Sequence, residues 1–139
     1  MSLLAVFPIA GSGMLAESQR LSVIASNVAN ANSMAGPEGE PYRAREPVFE
    51  AVSLQGGDAS AASAGVSGVR VAAIVQSDEP FRETYDPGSP YADQSGYVRQ
   101  PNVDPVEEMV NMISAQQDYQ ADLEAFNVAK TLALRTLSI

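Results

Sequence analysis

Glu107-Glu108 and Asp78-Glu79 are adjacent carboxylates, the raw material of acid–base work on glycosides when one acid is held protonated by its surroundings. Each pair has a plainer reading. Glu107 and Glu108 follow Asp104-Pro105, where the dipole of a starting helix favours negative charge. Asp78 and Glu79 precede Pro80 at the end of a strand-like run and read as solvated. A serine nucleophile lacks a base: the chain has no histidine, and its lysine, Lys130, has no S-x-x-K pattern before it. "GSGM" at 11–14 lacks the GK[ST] ending and the preceding strand of a phosphate loop, so its small residues suit close helix contact. The absence of cysteine and histidine excludes disulfides, Cys/His zinc sites and haem ligation, leaving only carboxylate sites for Mg²⁺ or Ca²⁺. No catalytic residue, cofactor or resident metal is expected.

The asparagines are the other polar constellation. In "SNVANANSMAGPEGEPYRA", residues 26–44, Asn27, Asn30 and Asn32 stand among alanines at the end of a helical pattern. None opens an N-x-[ST] glycosylation acceptor. Helix-ending punctuation is the simpler reading and a contact surface the more consequential one.

The elements that would position these residues are two helices around a β-leaning middle. Leu3, Phe7, Ala10, Met14, Glu17, Leu21, Ile24 and Val28 form an almost wholly apolar heptad seam. Pro8, Gly11 and Gly13 weaken its start, so a firm helix is expected from about residue 9 or 10 to 28, with 2–7 extended or a kinked extra turn. The second helix is announced by Asp104 as N-cap, Pro105 at the first helical position and Glu107 closing a D-x-x-E capping box. Its seam runs through Met109, Met112, Gln116, Tyr119, Leu123, Phe126, Lys130, Ala133 and Leu137. Val106, Val110 and Ile113 widen the apolar face near its start, which predicts contact with more than one partner there. Free of Gly and Pro, a helix of about 33 residues would be about 50 Å long, natural in a rod or coiled coil.

Between the helices, "YRAREPVFEAVSL" and "GVSGVRVAAIVQSDEPFRETYD" hold short β-type runs, and "DPGSP" and "DQSGY" are turns. Three or four short strands are expected, with a small-residue linker near 55–68. The class is α+β: long terminal helices paired as a coiled coil with a small irregular β-hairpin module inserted. The domains read as 1–33, 34–101 and 102–139.

The net charge of −9 argues against a nucleic-acid partner. Residues 1–33 carry only Glu17 and Arg20, so their apolar surface must be covered by something. "LLAVFPIA" resembles the apolar core of a signal peptide, but the first basic side chain is Arg20, so no cleaved leader is expected. No run approaches the ~20 apolar residues of a membrane span.

"GSGMLAESQRLSVIASNVANANS" resembles the N-terminal signature of the bacterial flagellar rod and hook proteins, in which an A-x-N-x-A-N-x-x-[ST] run ends the first helix. Its members here are Ala25, Asn27, Ala29, Asn30 and Ser33. "PNVDPVEEMVNMISAQQDYQADLEAFNVAKTLALRTL" is similar to that family's C-terminal signature. "ANSMAGPEGEPYRA" and "YDPGSPYADQSGYVRQPNVD" look most like the short proximal rod members; Pro8 departs from the usual pattern.

The resemblance implies a structural, self-assembling subunit of the rod, the drive shaft of motility crossing the periplasm. It further implies export through the flagellar type III apparatus without signal cleavage, and terminal helices that form an inner tube. The implied neighbours are other proximal and distal rod proteins, with the basal adaptor and MS ring region below. Asn27, Asn30 and Ser33 are expected to stop the first helix and to bond between subunits, with 34–47 lying along a neighbour. The assembly residues are expected to be Leu21, Ile24, Val28, Met109, Met112, Tyr119, Leu123, Phe126 and Leu137. The alternatives are another rod subunit of the same family, or an exported coiled-coil adaptor or chaperone.

Overall fold

The structure, a computed structural model, describes residues 3–36, 38–54 and 66–138. A 3-10 turn at Leu3–Ala5 leads into helix α1, Val6–Asn30, which is longer at both ends than its sequence suggested. Pro8 lies in the first turn of α1, the part of a helix that tolerates proline best.

Helix α2, Pro105–Leu137, starts as predicted. Asp104 Oδ1 accepts the Val106 N–H at 2.9 Å, and the Asp104 carbonyl accepts the Glu108 N–H at 3.0 Å. Only half of the capping box forms, because among the described residues no hydrogen bond links Glu107 to the Asp104 amide. Asp104→Ala should therefore lower stability by about 1 kcal/mol, and Glu107→Ala by clearly less, measured as the shift in urea midpoint.

Four strands form two separate two-stranded sheets. β1 (Arg45–Ser53) pairs with β2 (Ser67–Gln76), and the Leu54 N–H donates to the Val66 carbonyl at 2.9 Å beyond the strand ends. β3 (Arg82–Tyr85) and β4 (Tyr97–Gln100) are antiparallel, with Tyr85 opposite Tyr97 and their rings edge-to-face at 5.2 Å. Their connection is held by Asp93 Oδ1, which accepts the Ser95 and Tyr97 amides at 2.8 and 3.0 Å. Gly96 there adopts φ 85°, a left-handed conformation that suits glycine. The expected linker at 55–68 falls mainly on 55–65, outside the described residues, while Ser67 and Gly68 already belong to β2.

Two-stranded sheets are marginal alone. The contacts that hold these two cluster into two units, each drawing on both helices and on the β segments, rather than into three consecutive stretches. The first comprises Met1–Leu21, Pro47–Ala73 and Ser114–Ile139. In it α1 and α2 run antiparallel: Phe7 meets Phe126 edge-to-face at 5.0 Å, and Arg20 reaches both Glu17 (3.3 Å) and Asp118 (3.4 Å). Ser12 ties β2 to α1 by accepting the Val69 N–H at 3.1 Å while donating to the Ile9 carbonyl at 2.7 Å. A side chain at Gly68 would run into Ser12 and Leu54, so glycine is what permits this approach. The second unit, Ser22–Glu46 and Ile74–Ile113, has a small core of Ala31, Ala44 and Val103 with Tyr42 against it.

Candidate assembly interface

The site grows from the end of α1. Asn27 is buried, 1% exposed, and its amide is used within the chain. Nδ2 donates to the Arg45 carbonyl at 2.9 Å, while Oδ1 accepts the Tyr42 hydroxyl at 2.9 Å and the Arg45 N–H at 3.0 Å. One side chain thus fixes both backbone groups of the first residue of β1 to α1. Asn102 repeats the device, accepting the Ala44 N–H at 2.8 Å and donating to the Glu79 carbonyl at 3.0 Å. Sequence reasoning missed Asn102, and its only signal was a polar residue between Pro101 and Val103.

Asn27 was expected to bond between subunits; within the chain its amide is engaged by Arg45 and Tyr42. Asn30 and Ser33 do the helix-ending work. Asn30 Nδ2 bonds back to the Ser26 carbonyl at 2.8 Å, and both the Ser33 N–H and hydroxyl reach the Asn30 carbonyl, at 3.1 and 2.8 Å. Neither asparagine needs the left-handed conformation, because among the described residues no non-glycine has positive φ. The following segment, expected along a neighbour, is partly internal: Pro41 and Ala44 are buried, and Arg43 stacks on Phe81 at 4.2 Å.

The described part of the α1 seam faces inward as expected, and the α2 seam does so only by half. On α1, Ala10 and Ile24 are buried, while Phe7, Met14, Leu21 and Val28 are half-buried. Gly13, Ala16, Val23, Asn27 and Ala31 complete the enclosed face. On α2, Met112, Tyr119, Phe126 and Ala133 face inward to some degree, alternating with Glu108, Ala115, Asp122 and Ala129. The predicted alternates, Met109, Gln116, Leu123, Lys130 and Leu137, are exposed. Each predicted alternate but Leu137 sits one residue beyond an inward one. A 3-4 spacing fits both frames, so spacing alone does not choose between them.

Glu108 also departs from its plain reading as a capping acid. It turns inward, with Oε2 buried and without a partner. Burial pushes its carboxyl above the usual range; the Asn27 amide pulls it back, and Glu107 and Glu46 raise it. Asp122 is raised as well, by burial and then by Asp118.

Comparison with known proteins decides what this scaffold belongs to. Residues 7–37 match the family described as "Flagella basal body rod protein", and residues 94–139 that described as "Flagellar basal body rod FlgEFG protein C-terminal". The chain is similar throughout its length to "Flagellar basal-body rod protein FlgC" of Yersinia enterocolitica (50% identical), Escherichia coli O157:H7 (48%) and Salmonella typhimurium (48%). Each alignment covers 100% of this chain and 98% of the relative. The chain belongs to the FlgC family of flagellar basal-body rod proteins.

Membership makes it a structural component of the basal-body rod rather than an enzyme, and implies assembly with other rod components. The FlgC-type scaffold leaves much apolar surface outside. Val106, Met109, Val110 and Ile113 on the first turns of α2 are 70%, 53%, 62% and 56% exposed. Leu123, Val128, Leu132, Leu134 and Leu137 further along α2 are exposed as well. Among the described residues, no helix is long and apolar enough to cross a membrane.

Proposed function

We propose that this chain is a proximal rod subunit that assembles helically through α1 and α2, which line an inner tube and transmit torque. The observation that carries this reading is the number of large apolar side chains left exposed on α2, Val106, Met109, Val110 and Ile113 near its start and Leu123, Val128, Leu132, Leu134 and Leu137 further along. Exposed apolar surface of this extent fits contact with further protein. Contacts that repeat head-to-tail without closing make a tube or filament. In this reading residues 1–33 and 102–139 form the inner layer and 34–101 decorate the outside. The neighbours are proximal and distal rod proteins above, with the basal adaptor and MS ring region below. The chain leaves the cytoplasm through the flagellar type III export apparatus with its N-terminal segment uncleaved, and comes to rest in the periplasm-spanning rod.

Mass spectrometry of detergent-resistant basal bodies from the source cells tests this. The expected result is this chain in the rod fraction with its N-terminus intact apart from loss of Met1. Recovery only from the soluble fraction, or trimming near residue 16, would overturn it in favour of an exported coiled-coil adaptor.

A further inference from the structure

Two acids stand where a helix pair ordinarily places apolar side chains. Glu108 and Asp122 are two heptads apart on the inward face of α2, with Ala115 between them and Ala129 after them. In the second unit, Glu108 sits beside Asn27 of α1, Glu107 of its own helix and Glu46 of β1, with Oε2 enclosed and unpartnered. In the first unit, Asp122 lies against Gly13 of α1, so closely that a side chain at position 13 would occupy the space of its carboxylate. Arg20, a cation of that seam, is engaged by Glu17 and Asp118. Among the described residues, no ion pair reaches Glu108 or Asp122.

We propose that the helix pair is proton-linked: Glu108 against Asn27 and Asp122 against Gly13 favour the closed pair when neutral and loosen it when ionised. A carboxylate that loses water without gaining a cation is penalised only in its charged form. A carboxyl whose proton is held more tightly in the closed pair than in the open chain ties stability to pH in one direction. The stabilisation is complete below the ordinary carboxylate range and is lost as pH rises through the raised values of these two groups. At neutral pH both acids oppose closure, so an unassembled chain holds its helices together less firmly than the small residues of the seam would allow. The proposal concerns the chain by itself and does not depend on the rod assignment.

The test is thermal unfolding of the full-length protein, followed by the helical signal at pH 4.5 to 7.5. Glu108→Gln and Asp122→Asn are compared with Glu124→Gln, an exposed acid on the same helix. The seam isosteres should raise Tm at pH 7.5 by about 2–8 °C each and flatten the rise in Tm that wild type shows on acidification. Glu124→Gln should leave that rise in place. Equal effects from Glu124→Gln would mean simple relief of net charge and would overturn the proposal, as would seam isosteres that lower Tm at pH 7.5. Carboxyl-carbon NMR titration of the wild type supplies an independent reading, and ordinary titration at both residues would also overturn it.

Discussion

Asn27→Ala should cost the folded chain about 3–5 kcal/mol, the largest loss expected from any single polar substitution here. Alanine removes the donor and the acceptor that satisfy the Arg45 carbonyl and N–H, and leaves the Tyr42 hydroxyl only its 3.2 Å contact with the Ser26 hydroxyl. Each buried polar group left unpaired costs about 1–3 kcal/mol. The loss is to be measured by urea denaturation of the full chain. Asn30→Ala removes only a back-bond to the Ser26 carbonyl and should cost about 1 kcal/mol. Asn27→Asp keeps the acceptor but cannot donate to Arg45, and it places a carboxylate close to Glu108 and Glu46. It should be at least as damaging as alanine at pH 7 and should recover in part on acidification. In cells, Asn27→Ala should abolish swimming without lowering export of the chain. Unchanged stability together with normal swimming would show that the Asn27 bonds hold neither the fold nor the assembly.

The second large effect separates the two faces of α2. Met109→Asp and Leu123→Asp place charges on exposed positions, 53% and 41% accessible, so the isolated chain should unfold at its wild-type urea midpoint to within about 0.5 kcal/mol. Assembly is another matter. If those side chains are buried by neighbouring subunits, an unpaired buried charge costs about 3–5 kcal/mol per contact. That is roughly a hundredfold or more in association, repeated at every subunit. Rods should be absent from basal-body preparations and motility lost. Phe126→Asp should behave differently, because Phe126 packs on Phe7 within the chain, and there the monomer itself should be destabilised. A Met109→Asp or Leu123→Asp strain that swims normally would show that this face of α2 stays in solvent and would refute assembly through it.

Leu21, Ile24, Val28, Met112 and Tyr119 are mixed cases. They are buried or half-buried in the chain, so substitutions there weaken folding and assembly together and cannot discriminate between them. Leu137, 83% exposed at the end of α2, belongs with Met109 and Leu123.

The architecture was legible in the sequence because its signals are local. Asp104-Pro105 fixed the start of α2, and a run without Gly or Pro carried it to Leu137. Alternation marked the strands, and turn residues such as Asp93 and Gly96 marked the hairpin. The likeness to rod proteins was equally readable, since it lies in contiguous runs at the two ends of the chain. Pro8 misled because its effect depends on where the helix begins, and the first turn tolerates proline.

What could not be read was which of two equivalent frames faces inward. On α2 the frame containing Met109, Leu123 and Leu137 is the more apolar, and periodicity favours it. The folded chain instead turns Glu108, Ala115, Asp122 and Ala129 toward the pair, and at Asp122 the approach is so close that Gly13 opposite it has no room for a side chain. Nor could Asn27 be assigned from its neighbours. Its partners, Tyr42 and Arg45, lie 15 and 18 residues away and meet it only when β1 is laid on α1. Helix and strand are set by residues close in sequence, but the direction a side chain faces is set by the shape of what packs against it.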